Sequence, residues 1–314
     1  MFRRILLAAL VLIPISVFAE PSQFRGPIEL GNQYPFALMQ PSMRPRRAQI
    51  EESGHNLFSF TSAWSNSAIR KDHYTIDDET VVMEAAARHG LSEQWEVGFL
   101  LPFRTEGGGV LDPFINGWHR TFGLPRGDRP HMPDDKHNVS GEDSDGEFDF
   151  GKTGFGLGTP ELSTRYCFNP TLCSGLTIGL PAPSIQYGQQ GVALGTDVVQ
   201  SIDFTEFSFS YGGALWFYGD TSIDNVEYRP LVPNGFAVLE YAYDSIWNFY
   251  CAFWGGLQST EDIQGHPDSQ WYLDVGARIR IANETSLDIM LRENPYPGSG
   301  TTDVSMVLGL TYRN

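Results

Sequence analysis

From residue 57 onward the chain is dominated by a period of two. Val304, Met306, Leu308, Leu310 and Tyr312 alternate with Asp303, Ser305, Val307, Gly309, Thr311 and Arg313. Trp271, Leu273, Val275, Ala277, Ile279 and Ile281 alternate in the same way with Tyr272, Asp274, Gly276, Arg278 and Arg280. A helix repeats every 3.6 residues and would scatter such a pattern around its surface, whereas a strand sends successive side chains to opposite faces. Each segment therefore predicts a strand with one apolar, aromatic face and one small or polar face.

By this rule the segments number about twelve. They span residues 57–65, 80–89, 94–103, 154–167, 173–180, 196–205, 207–218, 235–243, 247–258, 270–281, 286–292 and 302–313. Short connections (90–93, 168–172, 206, 244–246, 282–285) interleave with long ones (66–79, 104–153, 181–195, 219–234, 259–269, 293–301). The expected fold is all-β: a closed antiparallel transmembrane β-barrel of about twelve strands, with short periplasmic turns and long extracellular loops. An even count returns both chain ends to the periplasmic side. A β-sandwich also alternates, but its strands are shorter and its apolar face is hidden in a shared core. Here Trp95, Phe103, Tyr241, Tyr243, Trp247, Trp271 and Tyr312 gather near segment ends on the apolar face, as aromatic girdles at two bilayer interfaces do. Closure also removes the edges that so many long strands would expose.

The first residues supply the compartment. Arg3 and Arg4 precede an apolar run over residues 5–18, and Val17-Phe18-Ala19 offers a small-residue cut site. That order predicts a cleaved secretory signal over residues 1–19 and export to the outer membrane of a Gram-negative bacterium. With Pro14 inside it, the run is short for a membrane anchor. A formal charge of −17 excludes nucleic acid as a partner. Of three cysteines, Cys167 and Cys173 bracket the turn-forming Asn169-Pro170 and can bridge in an oxidising compartment, with two reduced thiols as the alternative. Cys251 reads as a small buried hydrophobe. No Cys or His spacing fits a zinc site, and neither metal nor cofactor is expected.

If lipid solvates the apolar stripe, the other stripe lines a lumen. Its acidic members are Glu84, Glu96, Glu161, Asp203, Glu240, Asp274 and Asp288; its basic members are Arg88, Arg165, Arg278, Arg280 and Arg292. An Arg on the lipid face at mid-bilayer would cost about 2–4 kcal/mol, so these belong inside. Such charges either select solutes by sign in an open pore or pair across a narrow one and hold the wall together.

Two further segments stand out. Residues 20–56 carry Pro21, Pro27, Pro35, Pro41 and Pro45, with a cationic cluster at Arg44, Arg46 and Arg47. They form either a mobile periplasmic leader or a lumen plug whose arginines meet the acidic wall; residues 57–314 are the barrel. In the loop over 104–153, Leu111, Phe114, Ile115, Trp118 and Phe122 recur at helical spacing, which predicts a short amphipathic helix over or in the barrel mouth. The acidic run at 142–147 lacks a calcium-loop register and reads as a solvated loop, open to divalent bridging to lipopolysaccharide.

The chain resembles a family of bacterial outer-membrane β-barrel proteins, a domain of unknown function of the 3187 type. The resemblance runs through Gly31-Asn32-Gln33-Tyr34-Pro35, Gly90-Leu91-Ser92, Pro102-Phe103, Leu111-Asp112, Trp118-His119, Phe122-Gly123-Leu124-Pro125 and Gly156-Leu157-Gly158, across most of the chain after residue 19. It implies the barrel fold and no particular activity. Gly309-Leu310-Thr311-Tyr312 is similar to the terminal signal read by the barrel-assembly machinery, although this chain ends Arg313-Asn314. The expected function is a passive channel or small-molecule uptake barrel with a charged lumen and an unidentified solute, in contact with outer-membrane lipid and lipopolysaccharide. The alternatives are a non-conducting structural barrel and an enzyme acting on lipid or lipopolysaccharide. For the enzyme, no Gly-x-Ser-x-Gly elbow or His-x-x-x-His pair occurs, and the candidates are His119 and Asp112.

Overall fold

Strands form where side chains alternate, because only the extended backbone can keep Phe207, Phe209 and Tyr211 on one face and Ser208 and Ser210 on the other. The computed structural model describes residues 25–123, 128–143, 146–150, 153–261, 263–296 and 300–314. The signal segment expected over residues 1–19 lies outside the described residues. The first three strands are β1 (Asn56–Arg70), β2 (Tyr74–Gly90) and β3 (Trp95–Gly107). A helix, α1 (Asp112–Phe122), then precedes the strands β4 (Asn138–Asp143) and β5 (Gly146–Asp149). The wall resumes with β6 (Gly154–Leu157), β7 (Glu161–Asn169), β8 (Leu172–Gly179), β9 (Ala193–Asp203) and β10 (Phe207–Tyr218). A small ribbon, β11 (Ser222–Ile223) and β12 (Val226–Glu227), leads to β13 (Leu231–Ala242), β14 (Trp247–Leu257) and β15 (Ser269–Ala282). The last strands are β16 (Thr285–Glu293) and β17 (Val304–Arg313).

Wall neighbours pair antiparallel, and β1 with β17, from Leu57↔Arg313 to Asn66↔Val304, closes the sheet on itself. Because β6 and β7 both pair with β3, they make one interrupted wall strand of a 12-strand barrel. Phe58, Phe60, Phe209, Phe217, Leu308 and Leu310 are exposed on the outer surface, while Ser201, Ser210, Glu240 and Arg292 on the alternate positions are buried. Aromatic pairs ring the short-turn end (Trp95–Tyr166, Phe207–Tyr241, Trp247–Phe249) and the long-loop end (Phe103–Phe155, Phe253–Trp271). These are the two girdles.

Several expectations change. Residues 66–79 make no long loop: β1 and β2 run on as a hairpin, paired from Asn66↔Glu79 to Arg70↔Thr75. The strand expected over 154–167 is broken at 158–160, where Pro102 of β3 and Pro160 lack the N–H that a continuous ladder needs. The acidic run at 142–147 is a hairpin and not a free loop, with Glu142↔Glu147 and Asp143↔Gly146 paired; residues 144 and 145 lie outside the described residues. Among the described residues no cluster of His, Cys, Asp or Glu is arranged to hold a metal ion. Cys251 is exposed, not buried, because odd positions of β14 face outward with Phe249 and Phe253. Cys167 and Cys173 are directly paired across β7 and β8 and disulfide-bonded.

Candidate functional site: the barrel lumen

The inward stripe does not face open water. Residues 25–55 occupy the lumen as a two-legged loop that rises from the short-turn end, bends at the long-loop end and descends again. Prolines at 27, 35, 41 and 45 interrupt it, and it is held by the wall, by the elements at the mouth and by contacts between its own legs at Asn32–Ser42 and Glu29–Arg46.

At the foot of the rising leg the Gly26 amide donates to Glu240 Oε2 at 2.6 Å, and Arg25 lies 3.4 Å from Asp203. Midway, Arg292 donates Nε and Nη2 to the two oxygens of Asp274 (2.7 and 2.9 Å) and Nη1 to the Gly31 carbonyl (2.5 Å). Its guanidinium also lies over the rings of Trp254 and Tyr272, at 4.7 and 5.1 Å from the centroids, and is fully buried. Asn32 is held by Gln270 and Tyr272.

The bend is apolar. Tyr34, Phe36, Ala37 and Met39 pack with Tyr74, Ile76, Val139, Phe148, Ile223, Val226, Tyr228 and Ile263, so β2, the β4–β5 hairpin, the β11–β12 ribbon and the loop before β15 all close on it. A short 3-10 turn, Ala37–Met39, makes the reversal. Tyr228 donates to the Phe36 carbonyl (3.1 Å) and Tyr218 to the Pro41 carbonyl (2.8 Å). His266 sits in this cluster with Nε2 3.0 Å from the Tyr34 hydroxyl and Nδ1 3.1 Å from the Thr260 hydroxyl. Burial pushes its pKa down to about 3, against a small opposing pull from a backbone hydrogen bond at Pro267.

The descending leg carries the cations. Arg44 donates to both oxygens of Glu161 (2.8 and 2.9 Å) and to Glu84 (3.1 Å). Arg47 reaches Asp203 at 2.7 and 2.9 Å and Glu240 at 3.1 Å. Arg46 lies 3.7 Å from Glu29 and 3.8 Å from Glu96. Glu51 accepts from Arg313, and the Glu51 amide donates to Glu96. A cavity of about 100 Å³ is left between this segment and the wall, lined by Glu29, Arg44, Arg46, Arg88, Glu84 and Glu161 among others.

The residues read from the sequence as lumen-lining thus fall into two groups. Glu84, Glu96, Glu161, Asp203 and Glu240 meet the central segment. Arg165 with Asp197 (2.5 Å), Arg278 with Asp288 and Arg292 with Asp274 pair along the wall itself, and Arg278 and Arg292 also donate to the Arg25 and Gly31 carbonyls of the central segment. Arg88 does both, meeting Glu29 at 3.1 Å and Glu96 at 4.0 Å, and Arg280 is half-buried on the same face near the short-turn end. What sequence reasoning missed is the apolar bend: Tyr34, Phe36 and Met39 show no periodicity, and only the aromatic content of 34–36 marks them.

The long loop splits between two places. The β4–β5 hairpin covers the mouth, but α1 lies against the outer wall and not over the opening, because Leu111 and Ile115 pack on Val304 and Leu291. Asp112 accepts from Asn66 (3.0 Å), Arg129 (2.9 Å) and the Asp135 amide (3.0 Å), which fixes the start of the helix. His119 follows two turns later, about 10 Å along the axis at 1.5 Å per residue. The two residues weighed as a catalytic pair therefore do not form one.

Comparison with known proteins bears on the whole barrel. Over residues 5–314 the chain matches the family described as "Protein of unknown function (DUF3187)". Among solved structures it is similar to the COG4313 outer membrane channel from Pseudomonas putida F1, at 13% identity and a TM-score of 0.57, covering 85% of this chain and 98% of that one. It is also similar to the NanC porin (8% identity, TM-score 0.47, covering 81% and 98%). The Ralstonia pickettii toluene transporter TbuX is similar at 12% identity, with a TM-score of 0.41 and coverage of 94% and 96%. The first of these shows the fold, that of an outer-membrane barrel; the scores of the other two are too low to add to it. No curated protein matches the sequence.

Proposed function

The chain belongs to the DUF3187 family, and from that premise and its filled lumen we propose a passive outer-membrane channel for small polar solutes, shut by its own residues 25–55. The observation that carries this reading is the composition of the lumen. Carboxylates, guanidiniums and hydroxyls line much of it, interrupted by two apolar clusters among the described residues, one at the bend and one midway where Ile28, Leu30, Met43 and Ala48 meet Val199, Phe236, Val238 and Met290. Water and charged solutes would re-solvate such a wall once the segment moved aside, whereas a purely structural core of this volume would be apolar. The similarity to an outer membrane channel supports the same direction.

Residues 1–19 would direct export and be removed after Ala19, and Gly309-Leu310-Thr311-Tyr312 would present the closing strand to the barrel-assembly machinery. Lipid and lipopolysaccharide would surround the outer stripe. Ion pairing to the wall holds the segment in place by charge, so the closed state is reversible in principle.

The filling of the lumen by residues 25–55, which leaves a cavity of about 100 Å³ beside Arg44 and Glu84, favours a second reading: a barrel that never conducts and serves only as a wall element. Swelling of proteoliposomes separates the two. In isotonic sugar or amino-acid solutions, vesicles holding the Arg44→Ala, Arg47→Ala double variant should swell faster than those holding the intact protein. Rates equal to empty vesicles for both proteins would favour the structural barrel.

A further inference from the structure

The loop after β3 is bound to the outside of the barrel at a defined height. By alternation with Phe58 and Phe60, Trp64 of β1 faces outward, and so does its neighbour in space, Glu79 of β2. The Trp64 indole N–H donates to Glu79 Oε1 at 2.6 Å, and the same carboxylate accepts from the amides of Val110 (3.0 Å) and Leu111 (2.6 Å). Gly109 makes this approach possible: its φ is +63°, and a Cβ there would lie 1.8 Å from the Glu79 carboxyl carbon. One face of α1 is then covered. Leu111 and Ile115 sit on Val304 and Leu291, which head the outward rows continuing into Leu308, Leu310 and Ile289 on the exposed barrel surface.

The other face is exposed. Val110, Phe114 and Trp118, spaced by four residues, are 65%, 51% and 41% exposed, and the Phe114 and Trp118 rings stack with centroids 6.3 Å apart. We propose that α1 is a lipid-embedded helix: the Val110, Phe114 and Trp118 stripe beds in the interfacial layer of the surrounding leaflet. The occupant follows from continuity. The stripe is an extension of the surface that hydrocarbon already solvates, it begins beside an interfacial tryptophan, and the helix is amphipathic with its polar anchors turned to the protein. A loop held this way keeps the barrel's first and last strands covered at their long-loop end, where Arg129 joins Asn66 of β1, Asp112 of α1 and Asp303 next to β17.

The proposal rests on the membrane reading of the barrel, and the test tells the two apart. Single cysteines at Val110, Phe114, Trp118 and Thr121 in a Cys251→Ser background would carry a nitroxide, with Phe60→Cys as the barrel-face control. Collision rates with oxygen, which partitions into lipid, and with a water-soluble nickel chelate would be read in phospholipid vesicles containing lipopolysaccharide. Heat-modifiable migration confirms that each variant is folded, and Val110 substitutes should either ring position fail. Oxygen-to-nickel ratios at 114 and 118 should exceed that at 121 several-fold and lie below that of the deeper control at position 60. High nickel access at 114 and 118 beside a lipid-like control places the stripe in water and overturns the proposal. Low access to both reagents there places it against protein, a second copy included, and overturns it equally. A water-like ratio at position 60 itself would instead contradict the membrane reading.

Discussion

Arg44 and Glu161 face each other as fork and carboxylate, Nη1 to Oε2 at 2.8 Å and Nη2 to Oε1 at 2.9 Å, across 117 residues of sequence. The same guanidinium reaches Glu84, so one cation compensates two buried carboxylates. Removing one partner of a buried pair costs about 3–5 kcal/mol when the other charge stays buried. Here that cost falls on the docked state alone, because an undocked segment lets both carboxylates hydrate. Arg44→Ala should therefore raise proteolytic cleavage within residues 25–55 of the folded barrel by at least tenfold, and Arg44→Lys by less, since a single ammonium cannot reproduce the two-pronged contact.

His266 makes the docked state sensitive to acid. Its pKa in the cluster is about 3, below the ordinary 6.5 of an imidazole in water. A group whose docked pKa is depressed binds its proton first in the undocked state. Above pH 6.5 there is no penalty; between 6.5 and 3 each unit of acidification shifts the balance toward undocking by up to tenfold, about 1.4 kcal/mol. Proteolysis or channel opening followed from pH 7 to 4.5 should show this rise, and His266→Phe should flatten it.

Arg129 is buried between Asp112, Asn66 and Asp303. Arg129→Ala leaves two carboxylates facing each other under α1, and the transition to the unfolded form in heat-modifiability assays should fall by several degrees. Arg120→Ala, at an exposed position of the same helix, should leave it unchanged.

Oxidation state gives a chemical count. With Cys167 bonded to Cys173 and Cys251 free, denatured but unreduced protein should take up a single alkylating group per chain, and reduction should bring the other two sulfurs into play. Uptake at all three without reductant would contradict the bridge.

Much of the fold was legible because strand geometry writes itself into single residues: Phe209, Tyr211 and Phe217 on one face and Ser208, Ser210 and Tyr218 on the other need no partner to be recognised. The helix at 112–122 was legible for the same reason, from the spacing of Leu111, Ile115 and Trp118. Its destination was not, because that depends on Ile115 meeting Val304 nearly two hundred positions later. The course of residues 25–55 is likewise invisible locally. Prolines erase its periodicity, and what places it is Arg44 against Glu161, Gly31 against Arg292 and Tyr34 against His266. The break at 158–160 could have been anticipated from Pro102 and Pro160, each without the amide hydrogen a ladder requires.

The central claim, that a polar pore exists and residues 25–55 stop it, is tested most directly by single-channel recording in planar bilayers. The intact protein should be silent at low voltage, and a folded barrel lacking residues 25–52 should give discrete steps whose cation preference grows when Arg278 and Arg280 are replaced by alanine. Silence from the truncated barrel, with its heat-modifiable migration intact, would contradict the pore; equal currents from both forms would contradict the stopper.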